Sequence, residues 1–167
     1  MVLTSESIAS VNKIAIFVDV QNIYYTTRQA YARQFDYHKL WQRIKQQGDI
    51  MYAFAYAIDR ENEGQRKFQN ALQQMGFTIK LKPYIQRKDG SAKGDWDVGI
   101  TLDIMEISPE VNTVILLSGD GDFDLLLDKV HQRDGVRTEV YGVRALTANS
   151  LIQSASLFHP IEASLLK

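Results

Sequence analysis

The sequence predicts an α/β fold, a three-layer α/β/α sandwich with a mostly parallel central sheet. Short apolar runs rich in Val, Ile and Leu alternate with longer amphipathic segments along the chain, as expected for strands joined by right-handed helical crossovers. Most of these runs are continuously apolar, which is typical of strands buried on both faces of a parallel sheet. The 167 residues suit one domain. We place it at residues 13–167, after a flexible polar lead-in at residues 1–12.

The predicted strands are apolar runs that end at an acid, a turn residue or a polar loop. They lie at residues 13–20, 49–59, 77–85, 112–118 and 136–143, with a strand-like piece close to the C-terminus. The run at 77–85 differs from the others because it alternates with period two. Its outward residues include Lys80 and Lys82.

The predicted helices fill the intervals between these strands. They lie at residues 22–35, 36–48, 61–76, 96–107 and 123–135, and a short one follows within 147–162. Asn22 and Asp36 are candidate N-caps, since short polar side chains bond the free amides of a helix start. Gly76 and Gly135 are candidate stops. A polar loop, QRKDGSAKGD, precedes the helix at 96–107.

Composition excludes several kinds of site. The chain has no cysteine, so disulfides, thiolate metal ligands and cysteine nucleophiles are excluded. His38, His131 and His159 lack the spacing of zinc ligands. The net charge is −1, so an anionic ligand would need a local basic patch or a metal ion. The sequence has no secretory signal pattern and no apolar run of about 20 residues, so we expect a cytoplasmic protein without a membrane partner.

Acids follow three of the predicted strands. Asp19, Asp59 and Asp120 come at strand ends, which in a parallel sheet share one edge, where ligands bind near the reversal of strand order. Asp59 is better explained as a helix cap, whereas for Asp120 alone a cap and a ligand role are equally good. Asp19 lies within an apolar run, and Asn22 is available to cap the next helix. A buried carboxylate needs a partner, and a metal ion is the simplest one.

The stretch LLSGDGDFDLLL adds Asp122 and Asp124 to Asp120. One helix start needs one cap, and each further acid gains only about 0.3–1 kcal/mol from the helix dipole. Repulsion between the carboxylates opposes that gain. Mg²⁺ or Mn²⁺, which prefer oxygen ligands, would reverse the balance.

The helix predicted at 96–107 contributes further acids. Asp97 and Asp103 are about 120° apart on a helix, so no more than one of them can point at a single ion. Asp97, which is nearer to the helix start, is the better candidate. Asp103 is better explained as an outward residue or as one that supports a ligand, and Asp95 as a cap.

Three segments in this order, IFVDVQN, KGDWDVGITLDI and LLSGDGDFDLLL, resemble the NYN domain, a branch of the PIN-like nuclease superfamily. The C-terminal NSLIQSASLFHPI is similar to that family's closing helix and strand, so the resemblance runs from about Lys13 to Ile161. The resemblance implies a PIN-like fold, an acidic pocket for Mg²⁺ or Mn²⁺, and ribonuclease activity.

The resemblance also implies roles for particular residues. Carried over by position, the acids that would bind metal and act in catalysis are Asp19, Asp97, Asp120 and Asp122. Asp124, Asp103 and Asp95 are weaker candidates, and the DWD sequence leaves Asp95 and Asp97 as alternatives at one position. One or two ions would activate a water for in-line attack on a phosphodiester and neutralise the phosphate. Asn22 would position the water or the phosphate, Lys93 would hold a phosphate oxygen, and Ser118 lies beside the acids.

A basic segment is the candidate contact for the substrate. Its members are Lys80, Lys82, Tyr84, Arg87, Lys88 and Lys93. Basic side chains around an aromatic ring suit single-stranded nucleic acid, here RNA. A solvated sheet edge, where lysines discourage aggregation, explains them equally well.

Other families fit the sequence less well. A haloacid-dehalogenase-type phosphatase needs an acid two residues after Asp19, where Gln21 stands, and no GxGxxG follows the first strand. The alternative function is that of a catalytically weak NYN domain, which would bind RNA or a protein as an adaptor or regulator. The tyrosine-rich helix at 22–35, or an exposed strand edge, could also serve a homodimer.

Overall fold

The computed structural model describes residues 11–83, 85–86, 92–93 and 95–167, and of the two short pieces only the backbone. The strands are β1 (Lys13–Asp19), β2 (Asp49–Asp59), β3 (Thr78–Pro83), β4 (Ile85–Gln86), β5 (Ala92–Lys93), β6 (Thr113–Leu117), β7 (Arg137–Gly142) and β8 (Leu157–Pro160). The α-helices are α1 (Val20–Tyr31), α2 (Tyr37–Lys45), α3 (Glu63–Met75), α4 (Asp97–Ile107), α5 (Asp124–Asp134) and α6 (Asn149–Ser154). Short 3₁₀ turns lie at Ser108–Glu110, Gly121–Phe123, Arg144–Leu146 and Ala163–Leu165.

Six strands form one sheet in the order β3-β2-β1-β6-β7-β8, and every adjacent pair in it is parallel. This arrangement confirms the predicted α/β fold. The chain runs outward from β1 to β2 and β3, and then crosses to β6 on the other side of β1. The strand order therefore reverses between β1 and β6. Their carboxyl ends, at Asp19 and Leu117, open into the crevice where such sheets bind ligands.

Alternate side chains of β1 enter two hydrophobic cores, one on each face of the sheet. Val18 packs with Leu40 and other residues of α1, α2 and α3. Phe17 packs on the opposite face with Ile104 and other residues of α4 and α5. Residues 14–18 are fully buried, so β1 lies at the centre of the molecule and holds its last residue, Asp19, in a fixed place.

The junction of β1 and α1 differs from the prediction. β1 ends at Asp19 and α1 begins with Val20, so Asp19, and not Asn22, is the N-cap. Its carboxylate accepts a long hydrogen bond, 3.5 Å, from the Asn22 amide. The predicted cap is wrong because the apolar pattern of the strand continues through Val20, which packs against the core from the first turn of the helix.

The cap predicted after β2 is also wrong. Asn62 is the N-cap of α3, and its side chain accepts from the Gln65 amide at 2.7 Å. Asp59 accepts instead from the Glu61 amide at 2.9 Å. Glu61 has a φ of 53°, so the chain makes a turn between β2 and α3 and the helix starts later than the acid at the strand end.

Two further segments differ from a plain loop. The polar segment after β3 contains an antiparallel pairing of β4 with β5, in which Ile85 faces Lys93 and Gln86 faces Ala92. Residues 1–10 of the predicted lead-in lie outside the described residues. Its last residue, Asn12, is bonded to the sheet, since its Oδ1 accepts from the Thr113 hydroxyl at 2.9 Å.

Candidate metal centre

Three acids from two parts of the chain meet at the carboxyl edge of the sheet. Asp97 begins α4, while Asp120 and Asp122 belong to the turn after β6. One carboxylate oxygen of each lies within 4.8 Å of the other two, which is close enough for a single ion to contact all three. We call these residues the acidic triad. Asp97 and Asp120 are half-buried, and Asp122 is exposed.

Asp19 lies beside the acidic triad and is linked to it through Ser118. The Ser118 hydroxyl donates to Asp19 Oδ2 at 3.2 Å and accepts from the Asp120 amide at 3.2 Å. Asp120 Oδ1 in turn accepts from the Asp122 amide at 2.9 Å. Ser118 is fully buried, so its hydroxyl serves these two bonds and holds the ends of β1 and β6 in register.

Asn22 ties helix α1 to the same turn. Its Oδ1 accepts from the Gly119 amide at 2.9 Å. The side-chain nitrogen Nδ2 of Asn22 has no hydrogen-bond partner among the residues that the structure describes. The side chain can therefore hold the turn with its oxygen and still offer a donor beside the acids.

Burial and mutual repulsion raise the pKa of two of the four acids. The pKa of Asp97 rises from its ordinary value of 3.8 to about 7, first through desolvation, then through a hydrogen bond with Asp120 and the charges of Asp120, Asp95 and Asp19. The pKa of Asp19 rises to about 6, chiefly through desolvation, which the hydrogen bonds from Asn22 and Ser118 partly offset. A cation is what would make these carboxylates favourable in their ionised form at neutral pH.

Comparison with known proteins identifies the family. The family model of the NYN domain matches residues 13–162. The chain belongs to the NYN domain family. The fold of this family is that of the PIN-like nucleases, whose members act on nucleic acid.

Two relatives of this NYN domain show how far the likeness extends. It is 26% identical over 125 residues to the Low amplitude and bright protein LabA of Synechococcus elongatus. The matched region covers 70% of this chain and 67% of that protein. It is 52% identical to a protein of unknown function from Vibrio parahaemolyticus RIMD 2210633, whose crystal structure superposes with a TM-score of 0.89 over 94% of this chain and 97% of that chain. The superposition confirms the fold. Within the described residues, no helix of the NYN domain has the length and apolar character needed to cross a membrane.

The structure places Asp103 outside the acidic triad. Its Oδ2 accepts from the Tyr56 hydroxyl at 2.7 Å and pairs with Lys80 Nζ at 2.6 Å. Asp103 lies about 120° around α4 from Asp97, and both of its contacts are with the sheet, to Tyr56 in β2 and Lys80 in β3. Lys80 also lies 4.8 Å from the ring centre of Phe54, so this ion pair joins α4 to β2 and β3.

The other two weaker candidates bond to nearby backbone amides. Asp124 Oδ1 accepts from the Leu125 amide at 2.5 Å. Asp95 is exposed, and its Oδ1 accepts from the Asp97 amide at 3.2 Å. Asp95 thus supports the start of α4, much as a cap would, although the N-cap position is that of Trp96.

Trp96 fastens the start of α4 to the sheet. Its indole nitrogen donates to the carbonyl oxygen of Ala57, in β2, at 2.8 Å. Lys82 Nζ lies 4.5 Å from the ring centre, and a Cβ on Gly99 would lie 2.6 Å from the ring. The position of Asp97 therefore depends on Trp96, which sequence reasoning missed. The available signal was a Trp three residues before a Gly at a helix start.

Gly119 and Gly121 are needed for close packing. Neither has a positive φ. A Cβ on Gly119 would lie 2.6 Å from the carbonyl oxygen of Leu146, and one on Gly121 would lie 2.8 Å from Ala148 Cβ. The turn that bears two of the triad acids thus packs directly against the segment after β7.

The predicted basic segment is described only in part. Lys80 is paired with Asp103, and Lys82 Nζ donates to the carbonyl oxygen of Asp95 at 3.1 Å, so both lysines are engaged within the protein. The remaining members fall outside the described residues or side chains, and their roles stay predictions: Tyr84, Arg87, Lys88 and Lys93.

Proposed function

We propose that this NYN domain is a Mg²⁺- or Mn²⁺-dependent phosphodiesterase, a ribonuclease that hydrolyses single-stranded or structured RNA. The supporting observation is the close approach of Asp97, Asp120 and Asp122, whose oxygens lie within 4.8 Å of one another. Two further features agree with the proposal. The triad lies where the strand order reverses, and the family has the PIN-like nuclease fold.

The chemistry of the acidic triad suits a hard divalent cation. Mg²⁺ and Mn²⁺ prefer carboxylate oxygens and water as ligands, and the triad offers carboxylate oxygens. Burial and the neighbouring acids raise the pKa of Asp97, and a bound cation would lower it again by favouring the ionised carboxylate. We assign one or two ions to the triad, with Asp19 as a further ligand.

When bound, the ion supplies activation of a water molecule and neutralisation of charge on the phosphate. The chain's own groups hold the ligands in place. Ser118 sets the distance between Asp19 and Asp120 through its two hydrogen bonds. Asn22 holds the Gly119 amide and offers its amide nitrogen to the water or to a phosphate oxygen.

Contacts with the rest of the substrate are proposed on sequence grounds. Positive side chains and an aromatic ring would hold the backbone and stack a base of a single strand. The residues assigned to this role are Tyr84, Arg87, Lys88 and Lys93.

A cleavage panel tests the proposed function. Labelled single-stranded RNA, duplex RNA and single-stranded DNA are incubated with the protein in Mn²⁺ and in EDTA. RNA should be cut only with the ion. Asp120→Asn should lower the rate by more than about 100-fold, beyond the loss typical of a residue that only supports a ligand.

Asp128→Asn is the matched control, because it removes the same charge from an exposed acid of α5 that lies outside the triad. It should cut RNA as the unaltered protein does. If Mn²⁺ binds and no strand is cut, the proposal fails and the alternative is favoured, an adaptor that binds RNA or a protein without hydrolysing it.

A further inference from the structure

We infer that Tyr24 and Tyr25 form a base-stacking platform on α1, which receives single-stranded nucleic acid beside the acidic triad. This inference rests on the proposed function, since it names a binding surface for the same substrate. The platform lies on a different element from the basic segment around β3 and would add two aromatic rings to the single tyrosine of that segment.

Both tyrosine rings lie on the solvent side of α1. Tyr24 is 45% exposed and Tyr25 is 52% exposed, whereas the inner side of the helix buries Ile23 and Thr27. The two rings meet edge to face, with their centres 5.3 Å apart. Because the ring planes cross at 76°, each ring is a separate stacking surface, and any nucleobase can stack on an aromatic ring whatever the sequence.

The first turns of α1 place Tyr25 close to the candidate metal centre. α1 starts at the cap Asp19, and Asn22 in its first turn bonds the Gly119 amide. Tyr25 follows Asn22 by three positions, so the two side chains are neighbours on the helix surface. Along the helix axis, Tyr25 lies only about 9 Å from Asp19. A nucleotide that flanks a phosphate held at the acids can reach it.

The charge of this helix also favours nucleic acid. Residues 20–35 contain no Asp or Glu and two arginines, in a chain whose net charge is −1. Arg28 lies over the Tyr24 ring, 5.7 Å from its centre, and donates to the Tyr24 hydroxyl. The second arginine, Arg33, donates to the carbonyl oxygen of Lys167. A cation beside aromatic rings is the combination that single-strand sites use, in which the cation contacts the phosphate and a ring stacks on the base.

Stacking would also hold the strand in spite of the repulsion between the acidic triad and the phosphate backbone. Clustered carboxylates repel a phosphate backbone until an ion is bound. Contacts with the bases do not suffer this repulsion, so a strand can be held at the rings while its phosphate approaches the ion.

The test measures binding in EDTA, so that cleavage does not interfere. A fluorescein-labelled single strand and the same strand with abasic sites are titrated with the unaltered protein and with Tyr24→Ala/Tyr25→Ala. The unaltered protein should bind the strand with bases at least about fivefold more tightly than the abasic strand, as one stacked base would give. The alanine variant should lose most of this preference.

Two control variants accompany it. Tyr24→Phe/Tyr25→Phe keeps the rings and should keep the preference for bases. Met51→Ala removes an equally exposed apolar side chain, 52% exposed, near the amino end of β2, whereas the acids lie at the carboxyl ends of the strands. This variant should bind as the unaltered protein does. Circular dichroism checks that each variant is folded.

Three outcomes would overturn the inference. The first is an alanine variant that retains the full preference for bases, and the second is an unaltered protein that binds no single strand. The third is a dimer, detected by light scattering, that the alanine variant abolishes, which would make this face a protein interface. The cleavage panel is read separately. Base-dependent binding without cleavage would leave the platform standing and overturn the ribonuclease, and cleavage without tyrosine dependence would do the reverse.

Discussion

The Ser118 hydroxyl donates to Asp19 Oδ2 across 3.2 Å, and this side-chain bond links the residues that end β1 and follow β6. It also lowers the pKa of Asp19 against the desolvation that raises it to about 6. The bond therefore links the geometry of the crevice to the charge of its most buried acid.

Ser118→Ala should raise the pKa of Asp19 and weaken metal binding more at low pH than at high pH, because protons then compete better for the carboxylate. The lost hydrogen bond should cost about 1 kcal/mol of unfolding free energy. Calorimetric titration with Mn²⁺ at pH 6 and pH 8 measures the effect on binding. Ser154→Ala, which removes a hydroxyl bonded to the distant Asp128, is the control. Equal weakening at both pH values would contradict this link between Ser118 and Asp19.

The raised pKa of Asp97, about 7, predicts that stability without metal falls as pH rises. The ordinary value is 3.8, so between about pH 4 and pH 7 the folded chain binds more protons than the unfolded chain. The stabilising contribution of this group is complete below that window and is lost across it. Melting temperatures in EDTA should therefore decline over this range less in Asp97→Asn than in the unaltered protein.

Adding Mg²⁺ should reverse that difference, because the ion binds the ionised acid. The unaltered protein should then gain melting temperature at neutral pH, and Asp97→Asn should gain little. A melting profile that falls equally in both proteins would show that Asp97 does not titrate in this window.

Asp103→Asn and Asp97→Asn should separate a structural acid from a ligand on the same helix. Loss of the Asp103 bonds to Tyr56 and Lys80 should lower the unfolding free energy by about 1 kcal/mol, since Lys80 is 35% exposed and solvent screens the pair. The stabilisation by Mn²⁺ should remain in Asp103→Asn and largely vanish in Asp97→Asn. Thermal unfolding with and without the ion measures both effects. The reverse pattern would remove Asp97 from the proposed ligands.

Gly119→Ala should destabilise the protein by about 1–3 kcal/mol, because the added carbon would meet the Leu146 carbonyl oxygen at 2.6 Å and the backbone must move. The shift would displace Asp120 and reduce Mn²⁺ affinity. Urea unfolding and metal titration measure the two effects. Gly64→Ala is the control, since a Cβ there has ordinary contact, 3.7 Å from Asn62 Oδ1. A stable Gly119→Ala protein with unchanged metal affinity would show that the turn can yield.

The strands and the acids at their ends were predictable because burial leaves a strong pattern. Residues 14–18 and 113–117 are buried throughout. Burial on both faces of the sheet requires continuous apolar runs, and these runs predict central strands. The end of β1 was less clear, since Val20 extends the apolar run into a helix. Helix geometry indicated that Asp97 and Asp103 could not both point at one ion, and the structure groups Asp97, not Asp103, with Asp120 and Asp122.

Contacts between distant segments were not predictable. The Trp96 indole reaches Ala57 across 39 positions, and the Ser118 hydroxyl reaches Asp19 across 99. Such bonds depend on how the helices pack against the sheet, which the local periodicity of the sequence does not predict. The sequence shows that α1 is rich in tyrosine. The exposure of Tyr24 and Tyr25, and the bond between Asn22 and Gly119 that brings this helix to the acids, are seen only in the structure.

Trp96 stands between Asp97, one of the proposed metal ligands, and the preceding basic residues that are proposed to contact the substrate. Its indole donates to the carbonyl oxygen of Ala57 in β2, and the Asp97 amide donates to Asp95, so two bonds next to Asp97 hold the start of α4. Substitutions at residues 87–91, which take part in neither bond, should therefore leave Asp97 in place. Related chains could vary their target preferences there while the same four carboxylates stay in place.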